Sequence, residues 1–370
     1  MQTTTLTAAA AHRTDAQHGL DASAAPLPAG ALTRVKRAYS TRRVDLGRAV
    51  ATRTDLAPAN GDLVLATVTA LGQHRRLELP DGRRAPLREG EQIVVAFSNR
   101  YAPDQFEAVV PDDLGPTSLV AGGGLAGRVL SRHAGMAEAT ALLPVGLLAD
   151  ADGRVLNVAD GALSPEAAPQ RPPVIAVVGA SMNSGKTTTA AKLVQGITAG
   201  GVRVGAIKIT GTGSGGDIWS FRDHGAHTAY DFSDFGHAST AGMGVDAVAR
   251  ILRGGIAQLT ADGAQAIVIE VADGVFQHET AAIIEHDAFD ELVDAVLFAA
   301  PDALSALGGA AWLTSRGRAP IALSGVVTAS ALATRELRAE TATPVWDIAQ
   351  LTDAAHAKGV LVTARERRDR

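Results

Sequence analysis

The stretch from Val174 to Thr189, VIAVVGASMNSGKTTT, constrains this chain more than any other. Its apolar run, Val174 to Val178, predicts a short buried strand, and the small residues that follow predict a turn. Gly185-Lys186-Thr187-Thr188 then opens a segment in which Ala190, Leu193, Val194 and Ile197 recur at helical spacing. A strand, a small-residue loop and a helix beginning Gly-Lys-Thr together make a phosphate-binding loop of the Walker A type. Small residues let successive backbone N–H groups curl around phosphates, and the helix N-terminus adds the positive end of its dipole. Lys186 is placed to reach the β- and γ-phosphates of a nucleotide, and the Thr187 hydroxyl to hold Mg²⁺. Ala180, Ser181, Met182, Asn183, Ser184, Gly185 and Thr188 complete the candidate nucleotide contacts. Ala180 stands where the strict pattern has its first glycine, a corner where a small side chain suffices.

A length of 370 residues points to two or three domains, and 46% hydrophobic residues supply a sizeable core. A net charge of −5 creates no field toward nucleic acid or membrane. Cysteine is absent, which excludes disulfides, thiolate metal sites and cysteine nucleophiles. No apolar run approaches the length of about 18 residues needed to span a bilayer. The opening MQTTTLTAAAAHRTDAQHG lacks the basic and apolar stretches of a secretory signal, so a cytoplasmic location is expected. Abundant Ala, Gly and Arg with few Lys suggest a high-GC bacterial gene.

Residues 1–31 read as a disordered tail. A basic arm and a small β-barrel-like domain are expected over 32–115. The arm holds Arg34, Lys36, Arg37, Arg42, Arg43, Arg48 and Arg53, read as solvated faces of that domain or, alternatively, as contacts to nucleic acid or a phosphorylated ligand. Strands are expected at Leu63–Val68, Arg76–Leu79, Arg84–Leu87, Glu91–Phe97 and Phe106–Val110, with a turn at Pro80-Asp81-Gly82. Residues 116–161 form a β-rich connecting region. Gly122-Gly123-Gly124 there is a hinge or tight turn, the alternative being a second anion loop. A proline-rich linker, 162–173, leads into a nucleotide domain over 174–370. In that domain strands and helices alternate. Helices are expected from Lys186, at Val245–Leu259, Ala303–Leu313 and Ala331–Ala339, and strands at Val202–Ile209, Ala266–Val271, Ala295–Ala299, Ile321–Val327 and Val345–Ile348. The pattern predicts an α/β fold with a mostly parallel sheet, its ligands at the carboxyl ends of the strands.

Three further residues carry candidate chemistry. Glu270 lies inside the apolar run IVIEVADG, where a charge is costly unless it is paired or bound to a metal. Asp217 follows the glycine-rich 211–216, and both acids are candidate Mg²⁺ partners of Thr187. Lys208 closes the second strand and is placed to neutralise a phosphoryl group or an anionic substrate. His224 and His227 are three apart on an expected helix, but no third ligand follows, so no metal site is expected there. Asp231, Asp234 and His237 form a polar insertion, read as either the substrate side of the cleft or a surface loop.

The run GASMNSGKTTTAAKLVQGITAGGVRVGAIKITG, with GGDIWSFRDHGAHTAYDF after it, is similar to the GTP-binding accessory protein of molybdopterin-guanine dinucleotide synthesis. The Lys208 strand and IVIEVADG also resemble dethiobiotin synthetase, although its VEGAGG pattern is replaced here by Glu270-Val271-Ala272-Asp273-Gly274. The two-domain layout resembles an uncharacterised bacterial family that joins an N-terminal domain to a phosphate-loop domain. These resemblances span roughly residues 172–350 and imply Lys186 and Thr187 as phosphate and Mg²⁺ contacts. They further imply Lys208 as a substrate or phosphate contact, and Glu270 with Asp217 as metal partners. A guanine-reading Asn-Lys-x-Asp is absent from LSGVVTASALA, residues 323–333, which leaves ATP or GTP with ATP slightly favoured.

The expectation is therefore an enzyme, a transferase or ligase, that uses Mg–ATP to phosphorylate or activate a small anionic metabolite, with Lys186, Lys208 and Glu270 catalytic. The alternative is a nucleotide-hydrolysing accessory or switch protein. No membrane or nucleic-acid partner is expected, and a homodimer is left open.

Overall fold

The computed structural model describes residues 24–166 and 170–368, which fall into two compact units. The first holds residues up to Leu163 together with Thr212–Gly215 and Phe232–Met243. Its strands are β1 (Ala24–Pro26), β2 (Lys36–Arg37), β3 (Ala51–Arg53), β4 (Leu63–Ala70), β5 (Arg76–Glu78), β6 (Arg84–Pro86), β7 (Gln92–Phe97), β8 (Phe106–Val109), β9 (Thr117–Ala121), β10 (Leu125–Arg132) and β11 (Thr140–Ala149). β4 pairs with β7, β7 with β10, β10 with β9, β9 with β11, and β11 returns to β4, closing a small barrel. Successive residues of a strand point to opposite faces. Val64, Ala66 and Val68 accordingly join Ile93, Val95 and Phe97 in one buried cluster, while Leu63 and Leu65 join Val94 and Ala96 in another. Both faces of these strands are covered, so the sequence reads there as unbroken apolar runs.

Two expectations change in this unit. Residues 116–161 do not form a separate connecting region, since β9, β10 and β11 are barrel staves. The expected tail shortens, because Ala24–Pro26 pairs with β3; the rest of it, residues 1–23, lies outside the described residues. Gly122–Gly124 forms the expected tight turn, the Gly124 N–H donating to the Ala121 carbonyl at 3.0 Å, and a Cβ on Gly123 would stand 1.9 Å from the carbonyl oxygen of Gly213, so two glycine runs are in backbone contact. Basic residues of the arm are neutralised by local carboxylates, Arg42 by Asp234 at 2.7 Å, Arg48 by Asp150 at 2.9 Å and Arg53 by Asp55 at 2.6 Å. The inserted segment is held further by the buried Glu78, which accepts from the Ser214 hydroxyl at 2.8 Å and the Gly215 N–H at 2.9 Å.

The second unit contains β12 (Val174–Gly179), β13 (Val204–Lys208), β14 (Thr228–Asp231), β15 (Ala266–Glu270), β16 (Ala295–Ala299) and β17 (Ala322–Ser324). They form one parallel sheet in the order β14-β13-β15-β12-β16-β17, with β12 in its interior. Its helices are α1 (Lys186–Ala199), α2 (Gly215–Asp223, beginning in the first unit), α3 (Val245–Ala261), α4 (His278–Glu285), α5 (Asp287–Leu292), α6 (Ala303–Thr314), α7 (Ala331–Glu340), α8 (Ile348–Thr352) and α9 (Ala354–Arg368). On one face Leu193, Val194 and Ile197 of α1 and Val360 and Leu361 of α9 cover Ile175, Val177 and Leu297. Each of these side chains contributes about 1.5–3 kcal/mol by burial. Ile207 and Phe298 are absent from that cluster and meet Gly255 of α3 and Gly309 of α6 instead. Helices therefore cover both faces, as parallel sheets require.

Local chemistry overrides pattern at several places. No strand forms at Val345–Ile348: one bridge joins Val345 to Leu323, and Asp347 caps α8 by accepting the Gln350 N–H at 3.0 Å. Gly325 ends β17 early, before a 3-10 turn at Val326–Ala329. His224 and His227 do not share a helix, since α2 stops at Asp223. The stretches that become β14, α4 and α5 are too short to give a periodic signal in the sequence. Among the described residues no helix is long and apolar enough to cross a membrane.

Burial, then the nearby Arg100 guanidinium, pushes the His74 imidazole down to about 4. Its Nε2 lies 3.0 Å from the Val120 carbonyl. The unfolded chain thus binds a proton near pH 6.5 that the folded barrel refuses until about pH 4, so stability falls as pH drops through that window. The expected loss is at most about 3 kcal/mol. Urea unfolding at pH 7 and pH 4.5 should show a steeper decline for the natural protein than for His74→Phe.

Candidate functional site

The site is built where β12 runs into α1. Ala180 to Ser184 curl back over the strand end, with Asn183 at φ 61° and Gly185 at φ 95°. Gly185 needs that left-handed backbone and also lies against Gly325, whose Cα would stand 3.0 Å from an added Cβ. The Val326 N–H donates to the Ser184 carbonyl at 3.1 Å, so the loop after β17 buttresses the phosphate loop. The first N–H groups of a helix have no partner within it, and here those of α1 open into the loop. Lys186 is buried and folds over the loop, its Nζ donating to the Ser181 carbonyl at 2.7 Å.

Parallel register carries the remaining groups to the same end of the sheet. Glu270 is aligned with Val177 on one side and with Lys208 on the other. The Thr187 hydroxyl lies 2.9 Å from Glu270 Oε1 and 3.3 Å from Asp217 Oδ1. Asp217, in the first turn of α2, also forms an ion pair with Lys208. Asp273, at φ 64° just beyond β15, adds negative charge felt by both lysines.

Electrostatics follow from crowding these charges out of water. Burial lowers the Lys186 pKa, against the pull of Glu270. Burial also works against the charge on Lys208, but Asp217 and Glu270 outweigh it and the ammonium is stabilised. Glu270 moves the other way: burial first, then the neighbouring Asp217 carboxylate, raises its pKa. Its Oε2 is buried and has no hydrogen-bond partner among the described residues.

That orphaned oxygen, beside a hydroxyl and a second carboxylate, suits a hard divalent cation that takes its other oxygens from water and phosphate. Thr187, Asp217 and Glu270 are therefore the residues able to hold Mg²⁺. Among the described residues there is no group of three or more His, Asp or Glu for a metal, and the His224 Nδ1 lies against the Ser220 carbonyl at 2.7 Å. Ala180, Ser181, Met182, Asn183, Ser184, Gly185 and Thr188 line or flank the loop as the sequence places them. Asp231 ends β14. Asp234 instead belongs to the first unit, where it pairs with Arg42. The buttress Gly325-Val326 is not legible as a functional element, although a Ser-Gly directly after an apolar strand is its one sequence signal.

A parallel sheet covered on both faces, with this loop between β12 and α1, defines the fold of a P-loop nucleotide-binding protein. No protein family and no curated protein matches the chain. Among solved structures it is similar to the signal recognition particle receptor FtsY from Elizabethkingia anophelis, with 16% identity and a TM-score of 0.32, over 55% of this chain and 58% of that one. It is also similar to the signal recognition particle 54 kDa protein from Aeropyrum pernix K1 in complex with GDP, with 20% identity and a TM-score of 0.34, over 55% and 50% of the two chains. A third is the nucleotide-binding protein from Archaeoglobus fulgidus in complex with ADP, with 12% identity and a TM-score of 0.34, over 50% and 88%. The chain spans only about half to three fifths of the two signal recognition proteins.

Glu270→Gln keeps the shape of the side chain and removes its charge. The Mg²⁺ concentration needed for half-maximal nucleotide binding should rise about tenfold or more, read by titrating the metal against a fluorescent nucleotide.

Proposed function

We propose that this protein is a Mg²⁺-dependent nucleoside triphosphatase that acts as a switch, hydrolysing ATP or GTP and resetting α2 as it does so. The observation that supports this reading is the sharing of the Thr187 hydroxyl between Glu270 of the sheet and Asp217 of α2. Asp217 joins α2 to the site, so a change of partner at that carboxylate acts directly on the first turn of the helix.

A bound Mg²⁺ would be held by Thr187, Asp217 and Glu270 and would supply positive charge to the β- and γ-phosphate oxygens. The N–H groups at the start of α1 orient the phosphate chain. Lys186, already folded over the loop, carries its charge to the transferring phosphoryl group and favours its more charged transition state. Lys208 anchors Asp217.

That last pairing favours hydrolysis over transfer to a metabolite. Transfer to a small anionic substrate rests on Lys208 offering it an ammonium, and here Asp217 takes that charge. Phosphate should therefore be released from ATP or GTP with Mg²⁺ and no added acceptor. Lys186→Ala should slow that release about 100-fold or more. Nucleoside diphosphate formed only with an added carboxylate, and without free phosphate, would replace the switch by a kinase or ligase.

A further inference from the structure

The second unit carries a groove of about 770 Å³ that the nucleotide chemistry does not use. One wall is a single face of α9, where His356, Val360, Thr363 and Arg367 follow one another at helical spacing. Ile321 and Trp346 face them. The Trp346 wall is fixed in advance: its N–H donates to the Leu323 carbonyl at 2.9 Å, and its carbonyl accepts from the Ser324 hydroxyl at 2.7 Å. The indole meets the His356 ring edge-on, with centroids 4.5 Å apart.

Two features of this groove ask for an occupant. His356 Nε2 is buried and has no hydrogen-bond partner among the described residues. Such a nitrogen is costly until something bonds to it. Beside Val360 on the α9 wall, Gly359 has nothing within 4 Å of where a Cβ would stand, so the groove is open there. At its far end, about 16 Å along the helix from His356, the exposed Arg367 adds a positive charge. The volume lies within the range of about 300–1,000 Å³ found for small-molecule sites.

We propose that this groove binds an aromatic organic anion. A flat apolar body lies against Trp346, Ile321 and Val360, a polar atom on that body bonds His356 Nε2, and a carboxylate or sulfonate lies toward Thr363 and Arg367. The aromatic wall sets the body, and the guanidinium sets the charge.

The test uses the full chain carrying Trp219→Phe and Trp312→Phe, which leaves Trp346 as the reporter. Anilinonaphthalene sulfonate is titrated in, and phenylnaphthylamine, the same rings without the sulfonate, serves as the uncharged comparison. Saturable quenching of Trp346 by the sulfonate is expected. Gly359→Phe, which fills the groove, should weaken it about tenfold or more. Arg367→Glu, a change at an exposed position that leaves the fold intact, should weaken it about fivefold. Quenching that does not saturate, that survives Arg367→Glu unchanged, or that is as strong with the uncharged amine overturns the proposal.

Discussion

A carboxylate placed inside a parallel sheet is the constraint on which the nucleotide site depends. Glu270 is 2% exposed and lies among apolar strands, where an unbalanced charge is strongly disfavoured. The fold answers with Lys208 in register on the next strand, the Thr187 hydroxyl and a nearby Lys186. Burial, and then Asp217 as a second carboxylate, leaves the balance incomplete and keeps the pKa of Glu270 high. One oxygen remains without a partner. The same imbalance that is unfavourable to the fold is what a divalent cation with phosphate oxygens would relieve.

The first unit solves a different problem. A ring of short strands closes on itself, so the backbone groups of its staves are paired around the barrel, and apolar side chains fill both sides of the wall. The segments Thr212–Gly215 and Phe232–Met243 are stitched to this barrel by Glu78 and by the Arg42–Asp234 pair. Asp234 of the polar insertion and Arg42 and Arg43 of the basic arm are thus each other's partners, which is why their charges look functional when read one at a time.

Much of the second unit was legible because its signals are local. Val174–Val178 and Gly185-Lys186-Thr187 announce a strand, a turn and a helix within sixteen residues of chain, and parallel strands buried on both faces read as apolar runs. Glu270 was legible as a charge out of place. What stayed hidden depends on partners far away in the chain. The closure of the barrel by β9 between β10 and β11 leaves no mark on any one of them. The glycines at 122–124 and 211–216 have the composition of anion loops, and their reason, the Gly123–Gly213 approach, joins residues ninety positions apart. Val345–Ile348 has the composition of a strand, yet an aspartate cap outranks β-propensity there.

The path of the chain has an evolutionary consequence. It crosses between the two units after Leu163, Gly211, Gly215, Asp231 and Met243, so neither unit is one contiguous stretch. Recombination at a single breakpoint would divide both units after Gly211, Gly215 or Asp231, and one of them after Leu163 or Met243. No single breakpoint therefore separates the barrel from the second unit with both intact, and residues 212–215 and 232–243 answer to the barrel although the chain on either side of them belongs to the second unit.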